Sequence, residues 1–150
     1  MVKLIAHRGN YNGKNISLEN HPDYIKLAIE NGYDAECDVL VKDNKIFLGH
    51  DDSLHSIGID FFNNFSNKLW IHCKNFESLI YFKKLKNLNY FWQKDDIHSL
   101  TSKGFIWSHS KCTKFDKNIA CMIDKKVAKS LYKSEVIYGL CMDDFSFLNI

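Results

Sequence analysis

Four short stretches of this 150-residue chain set ionisable side chains side by side: His7-Arg8-Gly9, Glu36-Cys37-Asp38, Gly49-His50-Asp51 and His72-Cys73-Lys74. Side chains alternate across a β-strand, so Glu36 and Asp38 share one face while Cys37 takes the other, and His72 and Lys74 share a face about Cys73. Two carboxylates aimed into one cavity repel each other unless a cation lies between them. An anionic ester such as a phosphodiester needs its charge neutralised before a nucleophile can approach, which a metal, an arginine and a lysine supply. Histidine titrates near neutrality and serves as acid or base, and the chain offers His7 and His50 for that work. Each piece alone has an ordinary reading as a loop, a solvated strand edge or turn chemistry; their order and spacing together point to a site.

The elements that must hold these residues are read from apolar runs and helical periodicity. Strands are expected at residues 3–6, 35–41, 45–48, 69–73, 90–93, 105–108, 119–123 and 136–141. Lys42-Asp43-Asn44-Lys45 reads as a hairpin turn, because Asn tolerates positive φ. A helix is expected from Pro22, suited to a first turn, to Gly32, a good C-cap, with Tyr24, Leu27 and Ala28 at core spacing. A second is expected over 76–86 with Asn75 as its N-cap. A third is expected over 125–132, with Val127, Ala128 and Leu131 on one side. Strands followed by helices imply a parallel α/β architecture. Charges at the C-terminal ends of successive strands are where a β/α barrel carries its active site.

In sequence order, His7-Arg8-Gly9, Glu19-Asn20, Glu36-Cys37-Asp38-Val39 and Gly49-His50-Asp51 resemble the opening signature of the glycerophosphodiester phosphodiesterases. The likeness covers residues 4–51. Leu69-Trp70-Ile71-His72-Cys73-Lys74 resembles the strand on which that family carries an acidic metal ligand two residues before a lysine; here the ligand position holds His72. The resemblance implies His7 and His50 as the acid–base pair and Glu36 and Asp38 as ligands of a divalent metal, Mg²⁺ or Ca²⁺. It implies Arg8 and Lys74 on the phosphate and Glu19 supporting the metal site or the first histidine. His72 in place of a carboxylate either joins the metal, favouring a transition ion, or stands aside beside the carboxylates.

The resemblance also implies a TIM-type β/α barrel, but a full one takes about 250 residues. The expectation is therefore a single-domain α/β chain forming a compact, incomplete barrel, with self-association as a homo-oligomer covering any open strand edge. The Trp residues 70, 92 and 107 are expected in the core, and His109, after the sixth of the expected strands, is a lesser candidate for facing the site.

Composition sets the bounds. With 45% apolar residues and 14% aromatic the chain can build a core. Its 20 basic and 18 acidic side chains are spread along the chain, which does not suggest nucleic acid as a partner. No stretch is long and apolar enough for a membrane span, and the charged pair at His7-Arg8 comes too early for a signal peptide. Five cysteines without a Cys-x-x-Cys read as reduced thiols in a cytoplasmic protein, which also sets aside the sequons at Asn15 and Asn64.

The function expected is metal-dependent hydrolysis or transfer at a small phosphodiester. Two alternatives stand beside it. One is a non-catalytic module of the same fold that binds phosphate or sugar-phosphate groups. The other is a different hydrolase in which His7, His50 and His72 share a transition metal with the carboxylates.

Overall fold

The computed structural model describes residues 1–50, 54–112 and 114–149. Its strands are β1 (Lys3–Ala6), β2 (Asp34–Lys42), β3 (Lys45–Leu48), β4 (His55–Ile57), β5 (Leu69–Cys73), β6 (Tyr90–Trp92), β7 (His98–Leu100), β8 (Ile106–His109), β9 (Asn118–Cys121) and β10 (Gly139–Met142). Its helices are α1 (Pro22–Glu30), α2 (Ile59–Asn64), α3 (Phe76–Lys83) and α4 (Lys125–Ser134), with a 3-10 turn at Ser146–Leu148. No helix among the described residues is long and apolar enough to cross a membrane.

The strands form one curled sheet. Strands β6-β5-β2-β1-β10-β9-β8 run parallel in that spatial order, the arrangement of a partial TIM-like barrel. The long β2 carries β1 and the antiparallel β3–β4 meander on one edge and β5 on the other. The β2–β3 hairpin turns through Asp43 and Asn44, both at positive φ as a two-residue hairpin loop requires. Residues 93–105 are too few for a helical crossover and a further parallel strand. The chain there makes the antiparallel strand β7 on the edge of β8. The amide of Ser102 then donates to the Tyr90 carbonyl at 2.8 Å, tying the turn after β7 to β6.

The helices lie where the sequence places their caps. Pro22 opens α1 behind His21, whose ring accepts the Asp23 amide, and Gly32 at φ +91° follows its end. Its buried face is Ile25 and Ala28, whereas Leu27 is exposed, so the expected stripe is turned by a residue or two. Asn75 caps α3 through a reciprocal pair with Ser78 and also brackets Val41 of β2, fixing that helix to the sheet. Asp124 caps α4, which buries Ala128 and Leu131 and leaves Val127 exposed.

Two cores follow. Outside the sheet, Cys37, Val39, Ile71 and Cys73 pack on Ile25, Ala28, Phe62 and Phe82 of the helices. Inside it, Ile5, Trp70, Phe91, Trp107, Ile119 and Cys141 fill the barrel. Phe91 stacks on Trp107 with centroids 4.5 Å apart, so large aromatic rings span the interior between short strands such as β5, β6 and β8. Trp70 and Trp107 are thus core, as expected. Trp92 is not: it is 37% exposed at the end of the short strand β6. Beyond β8, where no helix covers the sheet, the outer face is polar instead: Ser108 donates to Asn118 at 2.7 Å and pairs with His98 at 2.9 Å. Cys37, Cys73, Cys121 and Cys141 are buried free thiols.

Candidate active site

At the C-terminal end of the parallel strands lies a cavity of about 320 Å³. Its wall includes His7 and Arg8 from β1 and the turn after it, Glu36 from β2, His72 and Lys74 from β5 and just beyond, and His109 from β8. Gln93–Ile97 close one side. The aromatic layer around Phe91 and Trp107 forms the floor.

Glu36, Asp38 and His72 each present a ligand atom within 4.8 Å of the other two. Asp38 is fully buried and is gripped from two sides. The amide of Asn20 donates to Asp38 Oδ2 at 3.2 Å while the Asp38 backbone N–H donates to Asn20 Oδ1 at 2.8 Å. Asn20 takes a left-handed backbone, φ +60°, to make this clasp. Arg8 Nε lies 2.8 Å from the same oxygen. Asp38 Oδ1 faces His72 Nδ1 at 3.0 Å and Lys74 Nζ at 3.8 Å, yet accepts no hydrogen bond. Burial pushes the Asp38 carboxyl up, but His72, Arg8 and Lys74 outweigh it and hold it well below the usual range. Glu36 Oε1 is 3.6 Å from His72 Nδ1, and Glu36 Oε2 accepts the Arg8 amide at 3.0 Å.

This donor set fits a divalent cation. Two carboxylates and an imidazole converge, and one buried carboxylate oxygen has no hydrogen-bond donor. His72 gives its other nitrogen, Nε2, to the Gln93 carbonyl at 2.8 Å, which turns Nδ1 toward the carboxylates as metal-bound imidazoles are oriented. The ring stacks on Phe91 at 4.8 Å. Without a cation, burial works against the His72 charge, but the two carboxylates raise its pKa to about 9 and the imidazolium balances them.

Arg8 reaches the site because the turn after β1 is left-handed at Arg8 and Gly9, φ +54° and +87°. A Cβ at residue 9 would meet Tyr24 Cδ1 at 3.0 Å, so only glycine lets the turn lie against α1. Glu19 Oε2 accepts from Arg8 Nη1 at 3.0 Å, and its other oxygen accepts from Asn10 at 3.1 Å. Glu19 therefore positions Arg8 and is not one of the three clustered ligand residues.

His7 Nδ1 lies 2.8 Å from Asp143 Oδ1, just beyond β10, and Asn10 also donates to that oxygen at 3.0 Å. Burial alone lowers the His7 pKa; the Asp143 bond, with the Glu36 charge behind it, reverses this and lifts it to about 9. Asp143 was not among the residues expected at the site, nor were Asn10 and Gln93. The signal for Asp143 was available: a carboxylate one residue past the last strand.

His50 follows the end of β3 by two residues. The Gly49 amide donates to the Asp38 carbonyl at 3.0 Å, which brings the end of β3 beside the ligand cluster. His50, half-buried, is nevertheless absent from the described lining of the cavity, and Asp51 lies outside the described residues. His109, weighed lightly from sequence, does line it. Three histidines sharing one metal are not brought together among the described residues: the cluster holds His72 alone, and His7 is bonded to Asp143.

Comparison with known proteins returns no matching family model and no matching curated protein. Among solved structures the chain is similar to the glycerophosphodiester phosphodiesterase from Agrobacterium tumefaciens str. C58, with 11% identity over 99% of both chains and a TM-score of 0.59. At that identity the likeness is one of fold.

Proposed function

We propose that this chain is a phosphodiesterase that cleaves small phosphodiesters with the help of a divalent cation. The observation that carries this reading is one cavity uniting the Glu36–Asp38–His72 cluster, the cations Arg8 and Lys74, and the His7–Asp143 pair. The shared fold with a glycerophosphodiester phosphodiesterase supports it. Glu36, Asp38 and His72 hold the cation, Mg²⁺ or Ca²⁺ by their oxygen content, which when bound supplies charge stabilisation to the phosphoryl oxygens. Arg8 is braced by Glu19 and Asp38, and Lys74 stands beside Asp38. Both bring positive charge to the phosphate, where preorganised donors lower the barrel-mouth barrier to attack.

His7 is a proton donor in this scheme. Asp143 keeps its ring protonated and aimed, with Nδ1 occupied and Nε2 left to serve the departing alcohol. A second group must accept a proton; His109 lines the cavity, and His50 is the residue to which the sequence resemblance gives that role. At about 320 Å³ the cavity suits a head group rather than a whole lipid.

The test is hydrolysis of bis-p-nitrophenyl phosphate and of glycerophosphodiesters with Mg²⁺, Ca²⁺, Mn²⁺ and Zn²⁺, each against a chelator control. Turnover that depends on an added cation and disappears in Glu36→Gln supports the reading. Phosphate-monoester binding without turnover under every cation supports the alternative, a binding module.

A further inference from the structure

We infer that His109 is the residue that accepts the proton of the attacking water, taking the place that the sequence resemblance gives to His50. The inference rests on the phosphodiesterase reading above and assigns a role within it.

His109 ends β8, across the mouth from β2 and β5, and shares the cavity with His7, Arg8, Glu36 and His72. Its backbone is held on both sides: its amide donates to the Ile97 carbonyl at 2.9 Å, and the next amide, of Ser110, donates to the Cys121 carbonyl at 2.8 Å. Ser110 adopts φ +59°, a left-handed conformation uncommon for a serine. In that conformation the Ser110 hydroxyl lies 2.8 Å from His109 Nδ1. A proton on Nδ1 given to the Ser110 oxygen leaves Nε2 with its lone pair. Met122, the residue after β9, and Arg8, after β1, are left-handed too.

The two cavity histidines are set apart in charge. His7 is held protonated by Asp143. His109 is pushed toward the neutral form, first by burial and then by the positive charges of His7 and His72 across the cavity, with Arg8 adding to them and Glu36 opposing. Lys94, Asp95 and Asp96 face the same space from the loop after β6, and Lys74 from beyond β5. One protonated and one neutral imidazole in a single cavity is the pattern of an acid and a base. As the water oxygen bonds to phosphorus, its proton passes to His109 Nε2. The bond from phosphorus to the departing alcohol oxygen breaks, and that oxygen takes the proton of His7 Nε2. Diester and water become monoester and alcohol; His109 then releases a proton to solvent and His7 regains one.

The experiment compares the full chain with His109→Gln, His109→Ala, His50→Gln and Ser110→Ala, on bis-p-nitrophenyl phosphate with whichever cation supports turnover. His109→Gln is expected to lower kcat by about 10²–10⁴-fold with little change in KM, and by at least tenfold more than His50→Gln. Added imidazole should restore part of the activity of His109→Ala, and the acidic limb of the pH–rate profile should vanish in both His109 variants. Ser110→Ala should lower kcat more mildly. His109 lies at the cavity mouth and outside the apolar core clusters, so its variants should unfold at the wild-type denaturant midpoint. An active wild type with His109→Gln equally active, or with the larger loss in His50→Gln, overturns the assignment alone. A wild type inactive with every cation overturns the phosphodiesterase reading and this assignment with it.

Discussion

Replacing Asp143 by Asn isolates the charge that keeps His7 protonated. The amide oxygen can still accept from His7 Nδ1 and from Asn10, so the shape of the contact survives while its negative charge is lost. His7 is largely buried, its side chain 15% exposed, and its pKa stands at about 9 against an ordinary 6.5. Each pH unit by which a folded pKa exceeds the unfolded value is worth about 1.4 kcal/mol, so this pair stabilises the fold by about 3 kcal/mol. The sign follows from the direction: a raised histidine pKa contributes stability that is complete below about pH 6.5 and is lost as pH climbs through about 9. Glu36 accounts for part of the rise, so Asp143→Asn should destabilise by about 2 kcal/mol near pH 6 and by almost nothing above pH 9 or so. Urea denaturation of both proteins at several pH values measures the difference, and NMR titration of the His7 ring measures the pKa directly. A destabilisation that does not change with pH, or an unmoved His7 titration in Asp143→Asn, would show that the carboxylate does not set the charge of His7.

Further expectations concern the ligand cluster and its supports. His72→Glu adds a charge and an oxygen ligand, so Mg²⁺ and Ca²⁺ should bind at least about tenfold more tightly in calorimetric titration and Zn²⁺ should lose ground. Unchanged affinities for every metal would mean that residue 72 is not at the ligand position. Asn20→Ala removes both hydrogen bonds of the clasp on buried Asp38 and should cost about 2–4 kcal/mol in denaturant unfolding. Asn20→Gly should cost less than Asn20→Ala, because φ +60° suits glycine. Gly9→Ala should destabilise by about 1–3 kcal/mol, since a Cβ there meets Tyr24 and the Ile25 amide at positive φ; a neutral result would mean the turn relaxes.

The elements readable from sequence were those with their own local signals. The 42–45 turn, the caps at Asn75 and around Pro22, and the apolar runs of β1, β2 and β5 each carry a propensity that agrees with the fold. What escaped lacks such signals. His55-Ser56-Ile57 and His98-Ser99-Leu100 are strands only because β3 and β8 offer them an edge to pair with. Helix α2 is six residues long and begins at Gly58 with no side-chain cap. Alternation did place Glu36 and Asp38 on one face and Cys37 on the other, because β2 is long and packed on both sides. The position of His50 was not decidable that way, because it lies two residues beyond β3, where the turn rather than the pleat aims the side chain, whereas His109 closes β8 on the same face as Trp107.

The same division runs through the site itself. Arg8, Asn10, Glu19, Asn20, Glu36 and Asp38 bind one another across separations of 30 residues or fewer, so this half of the site is encoded in one compact stretch. The other half depends on closure. His7 meets Asp143 across 136 residues, and only the parallel pairing of β1 with β10 brings them together. Residues 139 and 141 pair with residues 3 and 5, which sets Asp143 level with His7 at the mouth. Any change that weakens the β1–β10 pairing therefore lowers the His7 pKa while leaving the Asp38 clasp intact. Gly139 is the place to look, because a Cβ there would lie 3.2 Å from the Lys3 carbonyl oxygen and 3.3 Å from Ile5 Cδ1. In Gly139→Ala the His7 ring should titrate lower than in the wild type while calorimetric affinity for Mg²⁺ stays the same. If both move together, the two halves of the site are one cooperative unit and the division argued from the contacts fails.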